Sequence, residues 1–202
     1  VQELLEGISR VDCSTGEHAA CQLARVLENI ALFLDDPAPV INLPDRGGNI
    51  TENSVAIHPG SGGVAKNWRL EDWIRIGEAI AGDEGQSPIL LITGEAEEEK
   101  HAELSATWSA AGVNFQHAHN WPLPRLGAAL SKCRLFLGHD SGISHLAAAV
   151  GIPCLLLFGP TDPAIWAPVN PGVEVLCSGT GRMSDIQYRD VLKRVSELLS
   201  CL

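Results

Sequence analysis

Residues 136–163, FLGHDSGISHLAAAVGIPCLLLFGPTDP, decide the fold. The stretch follows an apolar run at residues 135–137 into a tight polar turn of Gly138, His139, Asp140, Ser141 and Gly142. An alanine-rich run reaches Val150, and a second apolar run fills residues 154–158. Strand, turn, helix, strand is a βαβ unit. Asp, Ser and Gly at a helix entrance leave the first backbone N–H groups unpaired and aim the positive end of the helix dipole outward, which is how phosphate is held. His145, three residues past Gly142, lies about one turn along and can face the same point. A plain capping role for Asp140 and Ser141, with His145 a satisfied surface histidine, accounts for the turn equally well.

Working outward, the same grammar repeats. Val55, Ala56 and Ile57 form a short strand ahead of the polar turn HPGSGG, and residues 70–81 form a helix with Glu71 and Asp72 where the dipole favours acids. Further elements are a strand over 89–93, a helix over 96–111, a short strand over 113–115 and a helix over 123–132. A strand over 173–177 and a helix over 185–202 close the chain. Short apolar strands alternating with helices predict an α/β fold, a Rossmann-like parallel sheet covered on both faces. Ligands bind such sheets outside the carboxyl ends of the strands.

Ahead of this unit, Ser14 and Glu17 read as a capping box, and Ala20, Leu23, Ala24, Leu27, Ala31 and Leu34 recur at helical spacing. One amphipathic helix over 15–34 is therefore expected, followed by a breaker-rich linker. This divides the chain into 1–51, a connecting helix and linker, and 52–202, the sheet domain. The chain opens on Val1 and its only methionine is Met183, so a preceding domain is expected.

Composition narrows the partners. With 202 residues the chain can bury a full core without staples. Six cysteines show no C-x-x-C or Cys/His ligand spacing, which predicts reduced thiols, with Cys133, Cys154 and Cys177 packed as small hydrophobes, and no metal site. The net charge of −11 argues against nucleic acid or an anionic membrane as the main partner. No apolar stretch is long enough to span a bilayer and no signal peptide is visible, so a cytoplasmic location is expected.

Three turns leave carboxyl ends of strands and so share one rim: residues 60–66, 94–98 and 138–142. Ser61, Gly62 and Gly63 allow backbone to approach phosphate, and Lys66 supplies a mobile cation. Glu95 can accept from ribose hydroxyls, although the run of acids around it also reads as a solvated helix start. No Walker A ending and no G-x-G-x-x-G is present. Trp68 and Trp73 read as packing residues on or near an amphipathic helix.

HPGSGGVAKNW from His58, paired with GHDSGISHLAAAVGIPCLLLFGPTDP from Gly138, resembles glycosyltransferase family 9, the ADP-heptose:lipopolysaccharide heptosyltransferases. The resemblance runs from about Ser54 to Pro168. It implies the second, donor-binding half of a GT-B fold and inversion at the anomeric carbon without a metal or other cofactor. By motif it places Ser61 and Gly62 against the diphosphate, Lys66 as its neutralising cation and Glu95 near the ribose. Trp121 would lie against the base, where it can stack on adenine; its alternative role is to plug the sheet edge. Asp140, Ser141, Gly142 and His145 would complete the phosphate and sugar contacts, and Lys66 with the helix dipole after Gly142 would stabilise the leaving diphosphate.

The implied partners are an ADP-sugar donor and a glycolipid or glycan acceptor held by the preceding domain, which would also supply the catalytic base and any contact with the inner face of the membrane. A non-catalytic nucleotide-binding module is the alternative, and a GT-B-type nucleotide-sugar epimerase a weaker one.

Overall fold

A computed structural model describes residues 12–43, 50–82, 87–94 and 98–201. Its centre is a six-stranded, wholly parallel sheet of order β3-β2-β1-β4-β5-β6. The strands are β1 (Val55–His58), β2 (Ile89–Thr93), β3 (Phe115–His119), β4 (Leu135–His139), β5 (Cys154–Phe158) and β6 (Val173–Cys177). The order reverses between β1 and β4, the switch point at which such sheets open a crevice.

The central strands are continuous apolar runs because both faces are covered. Val55, Ile57, Ile89, Leu91, Leu135 and Leu137 face one core. It is closed by α2 (Leu70–Gly82), α3 (Glu98–Ala110) and α7 (Tyr188–Cys201). Ala56, Leu90, Ile92, Phe136, Leu156 and Phe158 face the other, under α4 (Leu123–Leu130) and α5 (Gly142–Ala149). One close approach requires a glycine: a Cβ on Gly77 of α2 would lie 2.1 Å from the Trp108 ring of α3. Trp68 and Trp73 are core residues, as their spacing predicts.

Six expectations are corrected. The amphipathic stretch is not one helix: α1 spans only Ala19–Arg25 and tightens into a 3-10 segment over Val26–Ile30. Ser14 does not cap it. It lies in a separate 3-10 turn capped by Asp12, and His18 is the N-cap of α1. The break is closed by Ala31, which is left-handed and donates its N–H to Glu28 O at 2.9 Å; before and after it, His18 Nε2 is 2.7 Å from Ala167 O and Ile41 N–H donates to Ala149 O at 2.8 Å. These contacts set the path of the segment instead of its own periodicity.

The third strand is Phe115–His119, not 113–115, because an edge strand pairs through its backbone and tolerates Gln116, His117 and His119. Gly138 and His139 belong to β4 and are buried, which shrinks the polar turn to Asp140 and Ser141. A Cβ on Gly138 would lie 2.7 Å from the Phe136 ring. Finally, α7 starts at Tyr188, Ile186 being buried in the preceding turn, and Cys177 is exposed on edge strand β6. Cys133 and Cys154 are buried, and burial pushes both thiols up to about 12. Among the described residues no helix is long and apolar enough to cross a membrane.

Candidate functional site

The switch point joins residues far apart in sequence. After β1, the loop turns at Gly60 to Gly63 and tightens into a 3-10 turn over Val64–Lys66, with Lys66 N–H donating to Gly63 O at 2.9 Å. This brings the Lys66 ammonium to 2.6 Å from Asp140 Oδ2 at the end of β4, with 33% and 11% of the two side chains exposed. Ser141 caps α5, its hydroxyl accepting from Ser144 N–H at 3.4 Å. Half-buried His145 follows on the same helix. Burial holds it below the ordinary histidine value, the Asp140 charge works against that, and His18 reinforces it. Asp140 thus ties Lys66 to the turn that carries Ser141, and its charge reaches His145.

The other predicted residues surround this turn. The Ser61 hydroxyl is buried and donates to Gly63 O at 3.2 Å, whereas Gly62 lies in open space. Gly142 opens α5 with nothing within reach of an added Cβ. Half-buried Trp121 follows β3, with the Arg125 guanidinium 3.6 Å above its ring. On the same face of the sheet a cavity of about 200 Å³ is lined by His58, Thr93, Gly94, Asn120, Trp121 and Ile143, among others. Glu95 lies outside the described residues.

Two histidines lie within the motifs without a role assigned to them. His58, assigned by sequence to the turn, is the last residue of β1 and reaches both the cavity and Ser141, 3.4 Å from its hydroxyl. His139 accepts from Trp68 N–H at 3.0 Å and packs edge-on to Trp73. The available signal is a histidine closing an apolar strand immediately before a Gly-rich or Asp-Ser turn.

Burial first, and neighbouring His58 second, push His139 down to about 3, with the Gly60 backbone acting in the opposite sense. The folded value lies below the 6.5 of an exposed histidine, so this contribution to stability is complete above pH 6.5 and is lost as the pH falls toward 3. The loss runs at up to about 1.4 kcal/mol per pH unit. Denaturant unfolding at pH 7 and pH 5 should show His139→Gln reducing the difference by about 2 kcal/mol. Unchanged pH dependence would contradict it.

The Lys66 cation and the entrance of α5 on one rim, linked through His58 and Ile143 to a cavity with an aromatic wall, suit an anion joined to a flat ring. The model of glycosyltransferase family 9 (heptosyltransferase) matches residues 25–196. The chain belongs to glycosyltransferase family 9. A family 9 relative, lipopolysaccharide heptosyltransferase 3 of Escherichia coli, is 49% identical over 79 residues, covering 39% of this chain and 23% of the relative. Lipopolysaccharide heptosyltransferase 1 of Pseudomonas aeruginosa is 35% identical over 114 residues, 54% of this chain and 29% of that one. Among solved structures, the family 9 glycosyl transferase of Veillonella parvula superposes with a TM-score of 0.77 at 20% identity, over 96% of this chain and 63% of the other. E. coli heptosyltransferase WaaC with ADP gives 0.65 at 23% identity, over 78% and 46%. These likenesses establish the Rossmann-like fold of the family 9 chain. The chain spans less than a third of the length of these two curated relatives.

Proposed function

We propose that this chain is the donor-binding part of an inverting glycosyltransferase that uses an ADP-sugar, of the heptose class, to extend lipopolysaccharide core or a related surface glycan. The observation that carries the reading is the meeting of Lys66, Asp140 and Ser141 at the switch point beside a cavity walled by Trp121. The diphosphate lies between Lys66 and the entrance of α5, and the base enters the cavity against Trp121. As the bond from the anomeric carbon to the diphosphate oxygen breaks, negative charge grows on that oxygen. Lys66 and the unpaired N–H groups after Ser141 stabilise it. Asp140, once Lys66 turns to phosphate, is free to accept from a sugar hydroxyl. The acceptor oxygen attacks from the opposite face, passing its proton to a base supplied with the acceptor rather than by the residues named here, which inverts the centre.

The relatives named for lipopolysaccharide heptose transfer and the solved heptosyltransferase with ADP support this choice of donor. Titration calorimetry with ADP and UDP tests it: ADP should bind more tightly, and a preference for UDP would move the donor away from the heptose class. Trp121→Ala should weaken ADP by about 1 kcal/mol, the low end for base stacking because Arg125 already covers one face of the ring. Unchanged ADP affinity would return Trp121 to a packing role.

A further inference from the structure

The protons around Ser141 can be counted. Ser144 Oγ donates its single proton to the His139 carbonyl, which can only accept. In the 3.1 Å contact between Ser141 Oγ and Ser144 Oγ, the donor must therefore be Ser141. That spends the only proton of Ser141, so its lone pairs meet Ser144 N–H and His58 Nδ1, each at 3.4 Å. Only one assignment satisfies all four contacts, and it puts a proton on His58 Nδ1.

The Ser141 hydroxyl is thus turned inward and offers no proton to an arriving anion. Rotation gives up the 3.1 Å donation to Ser144 Oγ, and a phosphate oxygen at the entrance of the helix would take its place. When it swings from Ser144 Oγ toward a phosphate oxygen, it still accepts from His58 Nδ1–H, and an accepted hydrogen bond makes a hydroxyl a stronger donor.

We infer that His58 is a positioning residue for the donor diphosphate: its Nδ1–H holds and polarises the Ser141 hydroxyl, so that the two act on the ligand as one unit. His58 is suited to this because it is buried at the end of β1, where strand pairing fixes its backbone opposite Gly138. The inference rests on the donor-site reading and adds to it a residue that touches phosphate only through Ser141.

Titration of ADP into the wild type, Ser141→Ala, His58→Leu, His58→Asn and the Ser141→Ala/His58→Leu double variant tests it. An asparagine amide can replace Nδ1–H, whereas leucine keeps bulk without a donor. Ser141→Ala and His58→Leu should each raise the dissociation constant about two- to tenfold, the range for one neutral hydrogen bond. The double variant should be no weaker than the worse single one, and His58→Asn should stay near wild type. Additive losses, or His58→Asn as weak as His58→Leu, would overturn the inference. Loss in Ser141→Ala with neither His58 variant affected would overturn it while leaving the donor site standing. No binding by the wild type would overturn the donor-site reading itself, and the inference with it. Should His58→Leu fail to fold, nitrogen-15 spectra of the wild-type imidazole decide independently: the proton belongs on Nδ1, and an Nε2–H tautomer in the free protein refutes the count.

Discussion

Lys66→Ala should raise the dissociation constant for ADP roughly tenfold to a hundredfold, the loss of about 1.5–3 kcal/mol that attends removal of a hydrogen bond to a charged group. The cost has two sources. Lys66 is the cation that faces the phosphates, and it also neutralises Asp140, whose carboxylate is 2.6 Å away and only 11% exposed. Removing the ammonium leaves that carboxylate aimed at the diphosphate, so repulsion adds to the lost attraction. Lys66→Ala/Asp140→Asn should consequently bind ADP more tightly than Lys66→Ala alone, a non-additivity that independent sites would not show. Lys66→Arg keeps the charge but replaces a compact ammonium with a planar fork, and should recover only part of the loss. Wild-type affinity should fall with added salt, and less steeply in Lys66→Ala, because this contact is charged and partly exposed. Calorimetry of these four proteins at two salt concentrations checks all of it, and wild-type affinity in Lys66→Ala would remove Lys66 from the site.

Little of that coupling is visible locally in the sequence, although the fold largely is. The runs 55–57, 89–93, 154–158 and 173–177 are legible as strands because a sheet covered on both faces asks for apolar residues at consecutive positions. Strand β3 hides, since Phe115–His119 alternates and carries two histidines whose ring nitrogens lie 2.8 and 2.9 Å from the Thr93 hydroxyl on β2. That partner is set by sheet order, which local periodicity does not encode. Segment 15–34 misleads for the opposite reason: its helical spacing is real, yet the helix tightens to 3-10 after Arg25 and closes on Ala31 in the left-handed region, while contacts with Ala167 and Ala149 hold the chain before and after it.

At the site, the polar turns mark Lys66, Asp140, Ser141 and His145 as candidates, because residue type and spacing carry the chemistry. Their convergence needs β1 and β4 to be neighbours, across 74 residues of sequence. His58 and His139 hide for a further reason. A histidine beside glycine and proline reads as turn, and only the register shows it to be the buried last residue of a strand.

Beneath the site, Trp73→Ala should lower the free energy of unfolding by about 3–5 kcal/mol, a large part of the 5–15 kcal/mol of an ordinary domain. Trp73 is fully buried on α2 and packs edge-on against both Trp68, at 5.4 Å between ring centres, and His139, at 5.2 Å. Those two neighbours are themselves joined, Trp68 N–H donating to His139 Nε2, and the Trp68 indole N–H reaches Ile186 O. One ring therefore supports the end of β4, the exit of the Lys66 loop and the turn before α7. A cavity in its place loosens the loop that carries Lys66, so ADP affinity should fall even in variant that remains folded. Trp73→Phe separates volume from polarity. The indole Nε1–H of Trp73 is buried without a hydrogen-bond partner among the described residues, so phenylalanine gives up some packing but also removes a donor that costs about 1–3 kcal/mol to leave unsatisfied. It should cost well under half as much as alanine. Urea midpoints for the three proteins, at a common slope, measure the difference. Equal losses for Phe and Ala would mean that the indole N–H is satisfied in solution, and no loss for Ala would mean that Trp73 is not part of the folded core.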